Sequence, residues 1–154
     1  MLDTGDPAPD FFLPAAEDRS AEYMLSAAAD AGPVVLAFIS CSDPGARRLL
    51  QTLADLDWAA LTDQISAFGI CPDGTAAERL AADVSFPVLV DRGAYVADLY
   101  GVADPQTGRG PDRAVVLVDQ QCTIRFCWRA SGDDDRLPLE QFRSAVSDLP
   151  TSER

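Results

Sequence analysis

Histidine is absent from this 154-residue chain, and so is lysine; all 12 basic residues are arginine. Each absence removes a class of chemistry. Without an imidazole there is no Ser-His-Asp triad, no Cys-His pair and no histidine metal ligand. Without an ε-amine there is no Schiff base and no phosphate-loop lysine. Long apolar runs are lacking too. The longest, around Pro33–Ile39, is too short to cross a bilayer. The opening residues, Met1 to Asp6, show neither a basic region nor an apolar signal core, so no secretion signal is expected and a cytoplasmic location is. Catalysis is left to Cys, Asp, Glu, Arg, Tyr and Ser.

What is abundant is negative charge. The net charge is −13 and the sequence pI about 4.1. Nucleic acid is excluded as a partner, because binding it needs clustered cations, and an anionic membrane surface would repel the chain as well. Asp heavily outnumbers Glu. An acidic, lysine-free surface fits a halophilic protein from a salt-loaded cytoplasm; the alternative is a GC-rich genome with an acidic proteome. Hydrophobic residues make up 47% of the chain, which argues against disorder and for one domain spanning residues 1–154. The four cysteines, Cys41, Cys71, Cys122 and Cys127, form no CxxC pair and have no zinc spacing. No metal and no cofactor is therefore expected, and thiol chemistry is the leading candidate.

The order of elements follows from pattern. Residues 6–14 form a proline-rich entry segment with short extended pieces. After the apolar segment Tyr23–Leu25, Ser26 offers a cap for an Ala-rich turn that Gly32-Pro33 breaks. Val34–Ile39 is a continuous apolar run rich in β-branched residues, which predicts a strand buried on both faces. Asp43-Pro44 then reads as an N-cap with proline at the first helical position, opening a helix with Leu49, Leu50, Leu53 and Leu56 on one face. Trp58 and Leu61 read as an extension of that face. Ile65–Ile70 is the next strand, giving a strand–helix–strand unit with parallel strands. Thr75 is a candidate cap for a helix to about Ala82, Phe86–Asp91 is a third strand, and Tyr95–Tyr100 is a short helix stopped by Gly101. A Pro/Gly-rich loop covers 104–112. Ala114–Asp119 and Thr123–Trp128 flank a hairpin turn, and a solvated acidic loop covers 132–135. Pro138 opens a last helix with Leu139, Phe142, Val146 and Leu149 on one face. This outline is an α/β, thioredoxin-like fold with a mixed central sheet and flanking helices.

Several segments, taken in order, resemble the alkyl hydroperoxide reductase/thiol-specific antioxidant group, the peroxiredoxins. They are Gly5–Phe11, Pro33–Phe38, Phe68–Asp73, Phe86–Asp91, Tyr100–Val102 and Arg113 with the strand to Asp119. The resemblance implies an oxidoreductase acting on a hydroperoxide or a protein disulfide, with a thiol or disulfide protein as partner and a homodimer by analogy. In that family a cysteine sits at the first turn of the helix after the central strand, where the helix N-terminus lowers its pKa. Here Asp43-Pro44-Gly45-Ala46 lines up with the family's Thr-Pro-Gly-Cys. Ala46 takes the cysteine position, Asp43 the hydroxyl position, and Arg113 the position of the active-site arginine. The family's upstream proline is missing as well, since Ile39 and Ser40 occupy that stretch.

The candidate site is thus Cys41, Cys71, Asp43 and Arg113. Cys41 lies just beyond the strand end, and Cys71 ends the next strand at an equivalent height. Strands about 4.8 Å apart would allow a Cys41–Cys71 disulfide, which needs Cα atoms about 4.4–6.8 Å apart, if the two strands are neighbours in register. Asp43 would raise a nearby thiol's pKa, and Arg113 would offset it. Packing cysteines, a plain N-cap at Asp43 and a structural ion pair at Arg113 are the bland alternatives. Cys127 reads as core and Cys122 as an exposed turn residue. Arg47 and Arg48 read as a solvated face or as an anion-binding pair beside the vacated thiol pocket. Three functions follow: a peroxiredoxin-like enzyme with a displaced nucleophile, a catalytically inactive thioredoxin-fold binding or assembly module, and a structural or regulatory partner of a true peroxiredoxin.

The charge carries its own prediction. Self-repulsion is screened beyond about 30 Å at 10 mM salt and beyond about 3 Å at 1 M. The melting temperature is expected to rise between millimolar and molar salt, followed by thermal denaturation. A flat melting temperature across that range would overturn the salt-adapted reading.

Overall fold

The computed structural model describes residues 2–16, 20–39, 45–55, 65–82, 84, 86–102, 113–130 and 136–149. Among them, the apolar run Val34–Phe38 forms the central strand, and all five of its residues are fully buried. Two short strands precede it, β1 (Phe12–Pro14) and β2 (Glu22–Met24), paired antiparallel in a sheet of their own. Then come α1 (Leu25–Ala31) and the central strand itself, β3. Beyond it lie α2 (Ala46–Ala54), β4 (Ser66–Cys71), α3 (Gly74–Ala81) and β5 (Val88–Val90). A 3-10 turn at Arg92–Ala94 leads into α4 (Tyr95–Leu99), followed by β6 (Ala114–Val118), β7 (Ile124–Arg129) and α5 (Leu139–Ser147).

The main sheet has the order β5-β4-β3-β6-β7. The strands β3, β4 and β5 run parallel, and β6 and β7 are antiparallel to their neighbours. The parallel strand–helix–strand unit and the hairpin read from the sequence are both present. Side chains alternate across the sheet, as the two-residue period of a strand demands. Val35, Ala37 and Ile39 join Leu50 of α2, Ala77 of α3 and Phe142 of α5 in one apolar cluster. Val34, Leu36 and Phe38 join Leu25 and Ala29 of α1 and Val96 and Ala97 of α4 in the other. Helices thus cover both faces of the sheet. Removing a side chain such as Leu36 or Phe38 from water contributes about 1.5–3 kcal/mol.

The proline-rich entry segment is tied down by Tyr100. Its ring packs on Phe38 with centroids 5.2 Å apart, and its hydroxyl donates to the Pro9 carbonyl at 2.7 Å. Gly101 follows with φ +73°, the left-handed conformation that ends a helix.

Two expected caps belong to other residues. Ser26 lies inside the first turn of α1. The carboxylate of Asp10, 16 residues upstream, accepts from the Ser26 backbone N–H and from its hydroxyl, each at 2.9 Å. Thr75 likewise lies inside α3, and Asp73 is the cap, accepting from the N–H groups of Thr75 at 2.9 Å and Ala76 at 3.2 Å. A carboxylate satisfies two donors at once and suits the positive end of the helix dipole. Leu56, Trp58, Leu61 and the loops at 104–112 and 132–135 lie outside the described residues.

Asp91 is a buried carboxylate beside the start of α4. Its two oxygens accept from the N–H groups of Val96 and Ala97 at 3.0 Å each. The turn that brings it there passes through Gly93 and Ala94, both at positive φ (72° and 57°); for the alanine that conformation costs about 1–2 kcal/mol. Burial pushes the Asp91 carboxyl above the ordinary carboxylate value, against the pull of the backbone donors on the anion. The folded chain therefore holds the proton more tightly than the unfolded one. The Asp91 contribution is fully present below pH 3.8 and is lost as pH rises through the elevated value. Chemical denaturation of the wild type and Asp91→Asn across that window is expected to show the wild type losing stability relative to the variant as pH rises. A constant difference would show that burial does not govern this carboxyl.

Candidate active site

The strand register brings four chain segments to one edge of the sheet. Phe38 at the end of β3 is opposite Ile70 of β4 and Ala114 at the start of β6, and Cys71 at the end of β4 is opposite Val90. The ladders continue past the strand ends. The Ile39 N–H donates to Ile70 O at 3.0 Å, Asp91 N–H to Cys71 O at 2.8 Å, and Ala130 N–H to Arg113 O at 2.8 Å. Arg113 therefore leaves the sheet at the carboxyl ends of the parallel strands, where open α/β sheets place their ligands.

Arg113 is 4% exposed, and its guanidinium lies against Gly45, the residue that precedes α2. A Cβ on Gly45 would stand 2.8 Å from both the Cζ and Nε atoms of Arg113. Gly45 has φ −83° and ψ −7°, a conformation open to any residue. A side chain at this position would therefore push aside the end of the Arg113 side chain, for reasons of space and not of backbone conformation. Ala46 follows as the first residue of α2, 3% exposed, with only a methyl group to present. The first turn of α2 carries no acidic residue, and its described cap makes no side-chain hydrogen bond. Instead, Arg47 and Arg48 add cations to an end where the helix dipole is already positive. A guanidinium beside a helix N-terminus can hold an anion: a thiolate, a peroxide or a carboxylate.

Of the four residues read from the sequence as the site, Cys71 and Arg113 share this sheet edge, while Cys41 and Asp43 lie outside the described residues. β3 and β4 are neighbours, as a Cys41–Cys71 pair requires, but the register Phe38↔Ile70 sets Cys71 level with Ile39, two positions before Cys41 in the sequence, and not at the equivalent height expected. Cys71 itself is fully buried in the cluster beneath α2, and its thiol donates to the Asp73 carbonyl at 3.6 Å. The capping role read for Asp43-Pro44 also falls outside the described residues; the described helix begins at Ala46.

The other two cysteines lie away from this edge. Cys122, expected to be exposed, is half-buried against the second apolar cluster because the Ala8 N–H donates to its carbonyl at 2.8 Å and draws the entry segment over it. Its φ of +59° places it in the left-handed region of the hairpin turn. That turn is closed by Asp119, whose carboxylate accepts from the N–H groups of Gln121 and Thr123 at 2.9 Å and from Arg125 Nε at 2.6 Å. Burial, then the charges of Asp10 and Asp119, push the Cys122 thiol up. Burial also leads in raising Cys127, a half-buried residue opposite Val116 whose thiol donates to Asp3 Oδ1 at 3.7 Å. Thiols held protonated are poor nucleophiles.

Sequence reasoning missed one feature. Arg113 also lines a cavity of about 140 Å³ with Arg48, Arg136, Trp128, Leu137 and Leu139. Arg136 follows an acidic run and carries no local signal of a site. Among the described residues, no group of three His, Cys, Asp or Glu side chains could hold a metal, and no helix is long and apolar enough to cross a membrane.

A mixed sheet with parallel β3–β5, an antiparallel β6–β7 hairpin and helices on both faces defines the thioredoxin-like class. Within it, the AhpC/TSA family pattern matches residues 4–127, and the chain belongs to that family. Solved structures agree at the level of fold. The peroxidoxin BcpB of Mycobacterium tuberculosis superposes with a TM-score of 0.82 at 22% identity, covering 98% of this chain and 100% of that one. Mycobacterium tuberculosis AhpC gives 0.74 at 16% identity, covering 95% and 92%. A yeast mitochondrial 1-Cys peroxiredoxin gives 0.75 at 17% identity, covering 95% and 75%. Comparison with curated proteins finds no match.

The Gly45–Arg113 contact predicts a specific coupling. Gly45→Ala is expected to destabilise the fold by about 1 kcal/mol, the low end of an overpacking change, because the added methyl displaces only the end of the flexible Arg113 side chain. In an Arg113→Ala background the same change should be neutral or stabilising by up to about 1 kcal/mol, since only the unfolded chain is then affected. Urea denaturation of the four proteins measures the cycle. Equal costs in both backgrounds would show that the guanidinium does not press on this glycine.

Proposed function

We propose that this chain is a peroxiredoxin-like thiol oxidoreductase whose nucleophile has moved from the helix to the preceding loop, to Cys41. The observation that carries the reading is Arg113, buried against Gly45 at the start of α2. An oriented guanidinium survives beside a helix that begins with Ala46 instead of a cysteine. In this reading the Cys41 thiolate attacks one oxygen of a hydroperoxide. The O–O bond breaks, the other oxygen leaves as an alcohol after taking a proton, and Cys41 becomes a sulfenic acid. The Cys71 sulfur then attacks the Cys41 sulfur, water leaves and a disulfide forms, which a dithiol or protein-thiol reductant of the cytoplasm reduces. Asp43 opposes thiolate formation and Arg113 favours it.

A second reading is a catalytically inactive thioredoxin-fold binding or assembly module. It is favoured by the methyl group at Ala46 and by the burial of Cys71. Reduced wild type and Cys41→Ser, each mixed with hydrogen peroxide and with cumene hydroperoxide, separate the two. Peroxide loss is followed and oxidised cysteines are mapped by mass spectrometry. The expected result is peroxide consumption by the wild type, with sulfenic acid or disulfide at Cys41, and background consumption by Cys41→Ser. Wild-type consumption at background, or oxidation confined to Cys122 and Cys127, would overturn the enzymatic reading in favour of the silent module.

A further inference from the structure

The cavity lined by Arg48, Arg113 and Arg136 has a composition at odds with the rest of the molecule. The chain carries 25 acidic residues and a net charge of −13. Yet the described residues that line this cavity include three arginines and no acidic residue. They come from separate elements: Arg48 from the first turn of α2, Arg113 from the start of β6, and Arg136 from the segment that leads into α5. The remaining wall is mostly apolar, supplied by Leu49 and Thr52 of α2, Trp128 of β7, Leu137 before α5 and Leu139 at its start. Arg113 is buried, whereas Arg48 and Arg136 are exposed, so the cationic side of the cavity runs from the protein interior out to water.

We infer that this cavity is a binding site for a small amphiphilic carboxylate, with its head on Arg48 and Arg136 and a hydrocarbon body of about five carbons against Trp128 and the leucines. Arginine presents planar, forked N–H donors that match a carboxylate, and the pairing is charge-assisted. The size follows from the volume: about 140 Å³ is close to the roughly 150 Å³ apolar cavity that accepts one benzene-sized molecule. An anion here also offsets the unfavourable placement of Arg48 at the positive end of α2. An inorganic anion would use the arginines and leave the apolar wall unpaired; a neutral hydrocarbon would do the reverse. The cavity shares Arg113 with the candidate active site, but binding in it requires no reaction at Cys41.

Calorimetric titration of the full reduced chain with hexanoate, hexan-1-ol and sulfate tests the inference, repeated on Cys41→Ser to keep thiol chemistry apart. Hexanoate is expected to bind at one site about tenfold or more tighter than either comparison ligand, since one charge-assisted contact corresponds to about that factor, and Cys41→Ser to bind it equally well. Arg48→Gln and Arg136→Gln, both at exposed positions, should each weaken hexanoate by about threefold to tenfold with little change in melting temperature. Thr52→Phe, which fills the α2 wall of the cavity, should abolish binding while leaving the circular dichroism spectrum unchanged. Hexan-1-ol binding as tightly as hexanoate, sulfate binding as tightly, no hexanoate binding, or unchanged binding in both arginine variants would each overturn the inference.

Discussion

The close approach of the Arg113 guanidinium to Gly45 joins the start of β6 to the start of α2. Both elements reach it from the core: α2 through Leu49, Leu50 and Leu53, and β6 through a wholly buried strand. A long cation is held almost entirely out of water, and the bare backbone of Gly45 leaves room for its planar end. The position of the guanidinium thus follows from the packing of two core elements. Electrostatics follow from that placement: the positive end of α2 and a fixed guanidinium reinforce each other for any anion that arrives between them.

The sheet makes this placement possible. In the order β5-β4-β3-β6-β7, the C-terminal ends of three parallel strands and the beginning of an antiparallel one coincide. Residues far apart in sequence, Cys71 and Arg113, thereby reach the same edge. The sulfur distribution follows the same logic. Only Cys71 among the described cysteines lies at that edge, while Cys122 sits in the turn at the opposite end of the β6–β7 hairpin and Cys127 opposite the middle of β6. That edge holds a buried arginine, and the first residue of α2 beside it presents only a methyl group.

Local pattern was enough for the elements whose signal is periodic. The buried run of β3, the crossover through α2, the hairpin and the last helix could all be read from residue spacing alone. Helix caps show where that reading stops. Ser26 and Thr75 are good capping types at plausible positions, but Asp10 reaches α1 from 16 residues away and Asp73 precedes α3 by one residue. A side-chain preference cannot reveal a competitor brought in by tertiary structure. Gly45 is a similar case: its neighbours suggest a turn, while its reason lies 68 positions further on. Arg113 was legible only through its family resemblance. The arginine cavity had no sequence signal, because Arg136 and Trp128 approach α2 only once α5 and β7 are packed.

The burial of Cys71 has a kinetic meaning. No reagent dissolved in water can touch that sulfur while β4 remains zipped between β3 and β5. Any external modification must wait for a local opening of that part of the sheet, an event governed by the stability of the strands and helices around it. When reagent is plentiful, the labelling rate becomes the rate of opening, and adding more reagent changes nothing. The cysteine is then a built-in clock for breathing at the very edge where the chemistry is expected.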